Sequence, residues 1–468
     1  MKIRNIPALT DHGDKESRKV VLSIAEKTLE RLDSYNRIKS IMHMTGNILH
    51  IGEKSWDLSK KKHVYLLGAG KACNHMAMAV DEILGEHLTR GIIIVKIKEE
   101  TDHFLKTEEY VGGHPLPNEN GYQACKKILD LVDQADPDDL FICVISGGSS
   151  ALMSYPIDGI TPDDEIKTTD IMLKSGANIY EINAIRRHIS AMNGGMLAKR
   201  IQERGAELIG FGISDAVGTP PTEDISIPYK NYKSTPIGPD STTLEDARQV
   251  IRNYNVQDKL PKNVVDYLMN AGPDKETPKS FPQNTYYLLN TLPDSCLYAK
   301  QIAESLGYNA YILSSFLEGE AKEVGKVFAS IAREAQNYGG MFTLPAVILS
   351  SGEATTYIPD NSAIEGHGGP GQEETLGFAL AASQIPGACL LSIDSEGTDG
   401  TTNVAGGITD STTLRACMES NIDVYKALRT HAAYECLDAV RDTVFTGNTG
   451  TNLCDFNILY VPARQKGV

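Results

Sequence analysis

Short apolar runs that end in glycine-rich polar turns, each followed by helical spacing, recur along this chain. That alternation constrains its fold more than any other feature. Residues 64–67 lead into Gly68-Ala69-Gly70-Lys71, and residues 140–145 lead into Ser146-Gly147-Gly148-Ser149-Ser150. Further strand-like runs lie at 91–97 and 208–213, with helical stretches at 17–35, 72–84, 121–132 and 163–204. The pattern predicts a largely parallel sheet covered by helices. It fails over 216–241, a segment rich in Pro, Thr, Ser and Tyr that reads as a long ordered loop. A helical stretch follows at 244–254, and the three prolines within 273–282 mark a boundary. The alternation then resumes, with strands at 286–289, 310–313, 346–349, 388–393 and 456–461. Helices are expected at 295–305, 320–336 and 372–383. Two α/β lobes with a cleft between them are therefore expected, with ligands at the carboxyl ends of the strands.

At 468 residues with 41% hydrophobic and 23% charged side chains, the chain can build full cores. A formal net charge of −16 argues against nucleic acid or an anionic membrane as the main partner. It also means that an anionic substrate needs a local basic cluster. No two of the eight cysteines have C-x-x-C spacing, so neither a zinc site nor a redox motif is indicated. Scattered cysteines, no visible signal peptide and no apolar run of membrane-spanning length together predict a reduced, cytoplasmic setting. A monomer or homodimer is expected.

Strand, small-residue turn and helix in succession aim backbone N–H groups at an anion. Two such turns, one carrying Lys71, make phosphate chemistry the first hypothesis. Neither is a standard motif. No Walker A loop is present, and Gly68-x-Gly70-x-x-Cys73 lacks the third glycine of the dinucleotide fingerprint. The densest positive charge lies at Glu181 to His188, where Asn183, Arg186 and Arg187 fall within one helical turn. An arginine fork suits a carboxylate or phosphate; Arg187 alone reads equally well as a solvated face. Asp215, Glu353, Asp394, Asp399 and Asp455 sit at strand ends or in glycine-rich turns, as hard-oxygen ligands for Mg²⁺ would. His114 and His188 are acid–base candidates. No Gly-x-Ser-x-Gly elbow supports a serine hydrolase.

These segments resemble the class II glycerate kinases, also called the glycerate 2-kinase or MOFRL family, in order and through nearly the whole length. The resemblance rests on Gly68-Ala69-Gly70-Lys71-Ala72, Gly113-His114-Pro115-Leu116-Pro117, Ile145 to Leu152, Ser175-Gly176-Ala177 and Glu181 to Ser190. It continues through Gly194-Gly195-Met196-Leu197-Ala198, Ile213-Ser214-Asp215, Glu318 to Ala321, Ser351-Gly352-Glu353, Gly397-Thr398-Asp399-Gly400 and Thr449-Gly450-Thr451-Asn452.

The resemblance implies a Rossmann-like N-terminal domain with helices on both faces over residues 1–252, a connector over 253–282, and a smaller MOFRL-like α/β domain over 283–468. It implies an active site in the interdomain cleft and phosphotransfer from ATP, with Mg²⁺, to the 2-hydroxyl of D-glycerate or a closely related hydroxy acid. The alternatives are an NAD(P)H-dependent hydroxypyruvate reductase, a name attached to relatives, or a catalytically impaired member that binds ligand.

On this reading Lys71, Arg186 and Asp215 are catalytic. Gly68, Gly70, Ser146, Gly147, Gly148, Ser149 and Ser150 handle the nucleotide phosphates. His114, Asn183, Glu353, Gln372, Asp399 and Asn452 line the substrate cleft. Asp215, Glu353, Asp399 and Asp455 are the metal candidates. The chain departs from the family pattern at Asn193, where a lysine is usual. Its usual Gly-Asp becomes Gly218-Thr219, followed by Pro220 and Pro221. Pro370 and Gly371 stand where the family usually has Arg-Asn or a proline variant. The missing arginine predicts that D-glycerate is a secondary acceptor.

Overall fold

A computed structural model describes residues 1–232, 235–358 and 364–463. The chain divides into two units. One comprises residues 37–213 and 223–289; the other comprises 1–36, 214–222 and the described residues from 290 onward.

The first unit is built on a six-stranded sheet. Its strands in chain order are Val64–Ala69, Arg90–Val95, Thr107–Val111, Leu140–Ile145, Glu207–Ser214 and Thr285–Thr291. Their spatial order is 3-2-1-4-5-6 by that numbering, the order of a doubly wound dinucleotide-binding sheet. The first five pair in parallel, with Leu66 opposite both Gly91 and Ile142. A parallel strand covered on both faces is apolar throughout, and Leu140–Ile145 is buried at every position. The helices Glu119–Asp133 and Met196–Glu203 pack through Ile128, Val132, Leu197 and Ile201 with Leu67, Ile92 and Phe141. Helix Cys73–Leu84 lies against the first, second and fourth strands.

The sixth strand is the run expected to open the C-terminal domain at residue 283. It joins this sheet because Gly210 and Gly212 leave room for Tyr286. A Cβ on Gly212 would lie 1.6 Å from the Tyr286 hydroxyl.

The long helical stretch at 163–204 is three helices, Pro162–Lys174, Ile179–His188 and Met196–Glu203. Thr161 and Asn178 close capping boxes on the first two. Those two pack with Leu244–Asn253 and Lys262–Asn270 around Ile182, Ile185, Leu244, Ile251, Val264 and Leu268. Residues 253–282 therefore differ from a bare connector: Val264, Val265 and Leu268 give them a buried helical face. Between Ser214 and Leu244 the described residues form no regular element, as the loop expectation for 216–241 had it; residues 233 and 234 lie outside the description. A three-stranded antiparallel meander, Met42–Thr45, Ile48–Ile51 and Lys54–Asp57, completes the unit.

The other unit also holds a six-stranded sheet, ordered Asn309–Glu320, Ala346–Thr355, Asp455–Val461, Cys389–Asp394, Gly406–Asp410 and Thr443–Val444. Only its first pair is parallel. The N-terminal helix Lys15–Leu32 belongs here, not with the 1–252 domain expected from sequence. Its Val21, Leu22, Ala25 and Leu29 pack with Val347, Leu391 and Ile458. Buried Arg18 on the same helix bonds Asp410 Oδ2 through Nε at 2.5 Å and Asp442 Oδ1 through Nη1 at 2.6 Å. Among the described residues no helix is long and apolar enough to cross a membrane.

Candidate functional site

The two turns singled out in the sequence meet at the point where the strand order of the first sheet reverses, between Val64–Ala69 and Leu140–Ile145. That is where ligands bind in open α/β sheets. Ser146 donates its N–H to the Ala69 carbonyl at 3.1 Å, and Lys71 donates to the Gly147 carbonyl at 3.0 Å. Ala72 N–H donates to Ser146 Oγ at 3.0 Å. Gly70, at φ +138°, is required by this approach, because a Cβ there would lie 2.0 Å from Ser146 Oγ. The amides of Lys71 and Ala72 thus hold the two turns together. Gly147 and Gly148 donate no main-chain N–H to another described residue.

Gly148, at φ +84°, gathers the chemistry. A Cβ there would lie 3.1 Å from His114 Cδ2 and 3.2 Å from Lys71 Cγ. Lys71 and His114, 43 residues apart in sequence by 114 − 71, therefore flank one glycine, and both are half-buried.

Beneath this turn lies a buried polar network. Arg186, on helix Ile179–His188 and 7% exposed, donates from Nη2 to the Ser150 carbonyl at 2.8 Å. Asn193 Nδ2 donates to the same carbonyl at 3.1 Å and to Met153 O at 3.3 Å. Glu165, 1% exposed, accepts from Ser154 Oγ and, at 2.9 Å, from the Tyr122 hydroxyl. Burial pushes the Glu165 carboxyl up, while the Ser154 bond and the Arg186 charge hold it down. Arg186 Nη1 lies 3.5 Å from Asn183 Oδ1, and its Nε has no hydrogen-bond partner among the described residues. Glu165, Tyr122 and Ser154 were not foreseen; their one sequence signal is a glutamate on the buried side of an otherwise exposed first turn.

The other two candidates of the basic segment are structural. Arg187 pairs with buried Asp240 at 3.1 Å. His188 is buried between the Ala184 carbonyl at 2.7 Å and Glu276 at 2.8 Å, so it is not presented as an acid–base group.

The remaining sequence candidates lie in the other unit. Asn452 Nδ2 donates to Asp215 Oδ2 at 3.0 Å. Asp215, Glu353, Asp394 and Asp455 all press their charge on Cys454, whose thiol is raised chiefly by burial and then by those carboxylates. Asp394 and Asp455 stand directly opposite on paired strands, a like-charge arrangement that is unfavourable. Burial, then Asp394, Asp399 and Glu374, raise the Asp455 carboxyl well above its usual range; the Ala354 N–H at 3.0 Å opposes them. Glu353 is exposed.

Gln372 and Asp399 are bonded to each other in the interior rather than presented to a ligand. Asp399 Oδ2 accepts from Gln372 N–H and Nε2, each at 2.9 Å, and Oδ1 accepts from Gly371 N–H at 3.3 Å. Asp399 thereby caps helix Pro370–Ala382, although burial still lifts its carboxyl to about 6. Among the described residues no three His, Cys, Asp or Glu side chains are placed to hold one metal ion.

Two family models cover most of the chain. A domain of unknown function, DUF4147, matches residues 20–269, and the MOFRL family matches residues 346–455. A glycerate 2-kinase of Pyrococcus horikoshii is 34% identical over 455 residues, covering 96% of this chain and 98% of that protein. A solved glycerate kinase of Thermotoga maritima superposes with a TM-score of 0.76 at 31% identity, over 95% of this chain and 99% of its own. A relative in Agrobacterium vitis with a provisional hydroxypyruvate reductase name is 34% identical over 85% of this chain and 86% of its own length. The chain belongs to the glycerate 2-kinase family, the class II glycerate kinases with a MOFRL domain.

Proposed function

We infer that this family member transfers the γ-phosphoryl group of ATP to the 2-hydroxyl of D-glycerate or a closely related small hydroxy acid. Membership makes it a phosphotransferase acting on an alcohol group; donor and acceptor are the proposal. The observation that carries it is the convergence of Lys71, Gly148 and His114 at the switch point of the first sheet. Phosphoryl transfer asks a protein mainly for positioning and charge neutralisation. The amides of Gly147 and Gly148 receive phosphate oxygens, with Ser146, Ser149 and Ser150 shaping the turn. Lys71 neutralises charge on the transferring group, and His114 faces the same space. Arg186 holds the turn through Ser150, and Asn183 beside it offers a polar contact to the acceptor.

Mg²⁺ bound with ATP would supply charge neutralisation for the phosphates, and it usually takes only one or two carboxylates. Asp215, Glu353 and Asp455, whose carboxylates all act on Cys454, are the proposed hard-oxygen donors for a metal ion. Asp399 is committed to its helix cap. All eight cysteines are free, in keeping with a reducing compartment such as the cytoplasm.

The reductase reading is disfavoured by Cys73. Its sulfur occupies the place where the dinucleotide turn needs a third glycine, buried and within 3.8 Å of the Val144 carbonyl. An ADP-coupled assay with ATP, Mg²⁺ and three- and four-carbon hydroxy acids tests the proposal, with the product identified by phosphorus NMR. Acid-dependent ADP release and a 2-phosphate ester are expected. Oxidation of NAD(P)H by hydroxypyruvate without ADP would establish the reductase, and no turnover with tight ligand binding would establish an impaired member.

A further inference from the structure

The second sheet turns one face to helices Ala321–Tyr338 and Pro370–Ala382, and that face changes character along its length. Ile348, Leu459 and Leu390 lie side by side in register and pack with Phe328 and Phe378. The strand period of two puts Ser350, Asn457 and Ser392 in the next row of the same face. All three are buried, and Asn457 Nδ2 donates to Ser350 Oγ at 3.2 Å. Onto this row comes Glu374 from helix Pro370–Ala382, 0% exposed and lying against Asn457.

This row holds an excess of oxygen acceptors. Among the described residues both carboxylate oxygens of Glu374, Asn457 Oδ1 and Ser392 Oγ have no partner in full hydrogen-bond geometry, although the Asn457 side chain lies near enough to Glu374 to pull its carboxyl down against burial. Among the described residues no cationic side chain enters the charge balance of Glu374, whose charged neighbours are Asp399 and Asp455. A buried carboxylate without a partner is strongly unfavourable, and each further orphan adds about 1–3 kcal/mol. A proton on Glu374 can serve only one of these atoms. Ser392 Oγ, the one hydroxyl among them, reaches neither Glu374 nor Asn457 in hydrogen-bond geometry. An occupant that touches several oxygens at once satisfies them together. The set has one formal charge and otherwise neutral oxygens, and no three-carboxylate cage is present among the described residues. Hard-oxygen ligation with a single charge suits a monovalent ion better than a divalent one.

We propose that Glu374, Asn457 and Ser392 bind a dehydrated alkali-metal cation beneath helix Pro370–Ala382, as a structural ion of the C-terminal unit. The site is independent of the phosphoryl-transfer reading and is tested without activity. The intact protein is dialysed into choline chloride, and its Tm is followed while sodium or potassium chloride replaces choline at constant ionic strength. The expected result is a saturable rise of roughly 5 °C with at least one of the two ions. In Glu374→Gln that ion-specific rise is absent. If that variant does not fold, Ser392→Ala is used, and the cation concentration at half-effect should move up at least tenfold. A Tm equal in all three salts, a rise that never saturates, or an unchanged midpoint in a folded variant would overturn the proposal in favour of water or a proton.

Discussion

Arg186 holds the main-chain carbonyl of Ser150 from below at 2.8 Å, with the buried carboxylate of Glu165 as its nearest compensating charge. The guanidinium is thus part of the support of the Ser146–Ser150 turn. Arg186→Lys keeps the charge but loses the fork. The expected outcome is a kcat about ten- to a hundredfold lower, equivalent to about 1.5–3 kcal/mol for a lost charge-assisted bond. KM values for both substrates should change less. Steady-state kinetics with each substrate varied in turn checks this; a raised KM for the acid alone at unchanged kcat would place Arg186 on the acceptor instead.

The acceptor itself is tested at Pro370. The resemblance implies an arginine or a proline variant there, and Pro370 is the first residue of a helix whose amides at 371 and 372 are taken by Asp399. The one basic side chain among the described residues of this turn, His367, is bonded to Glu435 at 2.8 Å. A four-carbon hydroxy acid should be turned over with a higher kcat/KM than D-glycerate. Pro370→Arg should raise kcat/KM for D-glycerate by about tenfold, the scale of one modest charge-assisted contact. A native preference for D-glycerate with no gain in the variant would show that another cation compensates.

A pH dependence of stability is expected at Glu109, on the third strand of the first sheet. Its side chain is 2% exposed, with Lys98 at 3.3 Å. Burial, then the Asp102 charge, lift its carboxyl to about 7 against the pull of Lys98. A carboxyl raised on folding stabilises the protein fully below its unfolded value of 4.5. That contribution is lost as pH rises through about 7. Glu109→Gln should match the native stability at pH 4.5 and exceed it at pH 8 by on the order of 2 kcal/mol, seen as a higher Tm. Equal Tm values at both pH values would show that Lys98 already neutralises the group.

Much of the first sheet was legible because parallel strands covered on both faces read as unbroken apolar runs. Its edge strand Thr107–Val111 was not, since Glu108 and Glu109 interrupt any apolar pattern there. The four-residue strands of the 42–57 meander carry too little pattern to register. Helix Lys15–Leu32 was recognisable as amphipathic, but nothing local says which sheet an apolar stripe will cover. The site shows the same division. Both turns could be found from residue order, whereas Tyr122 and Glu165 meet across 43 positions and only the fold brings them together. Asp399 looked like a ligand because a capping aspartate and a metal-binding one have the same sequence context, a glycine-rich turn.

The central claim is that phosphoryl transfer takes place over the Gly148 turn with Lys71 beside it. Lys71 is half-buried and its Cγ would meet a Cβ at Gly148 at 3.2 Å. The most direct measurement is kcat of Lys71→Ala at saturating ATP and acid, with Tm taken on the same preparation. A fall of about a thousandfold, roughly 4 kcal/mol of transition-state stabilisation, with Tm nearly unchanged, is the predicted result. A folded variant with near-native kcat would contradict it.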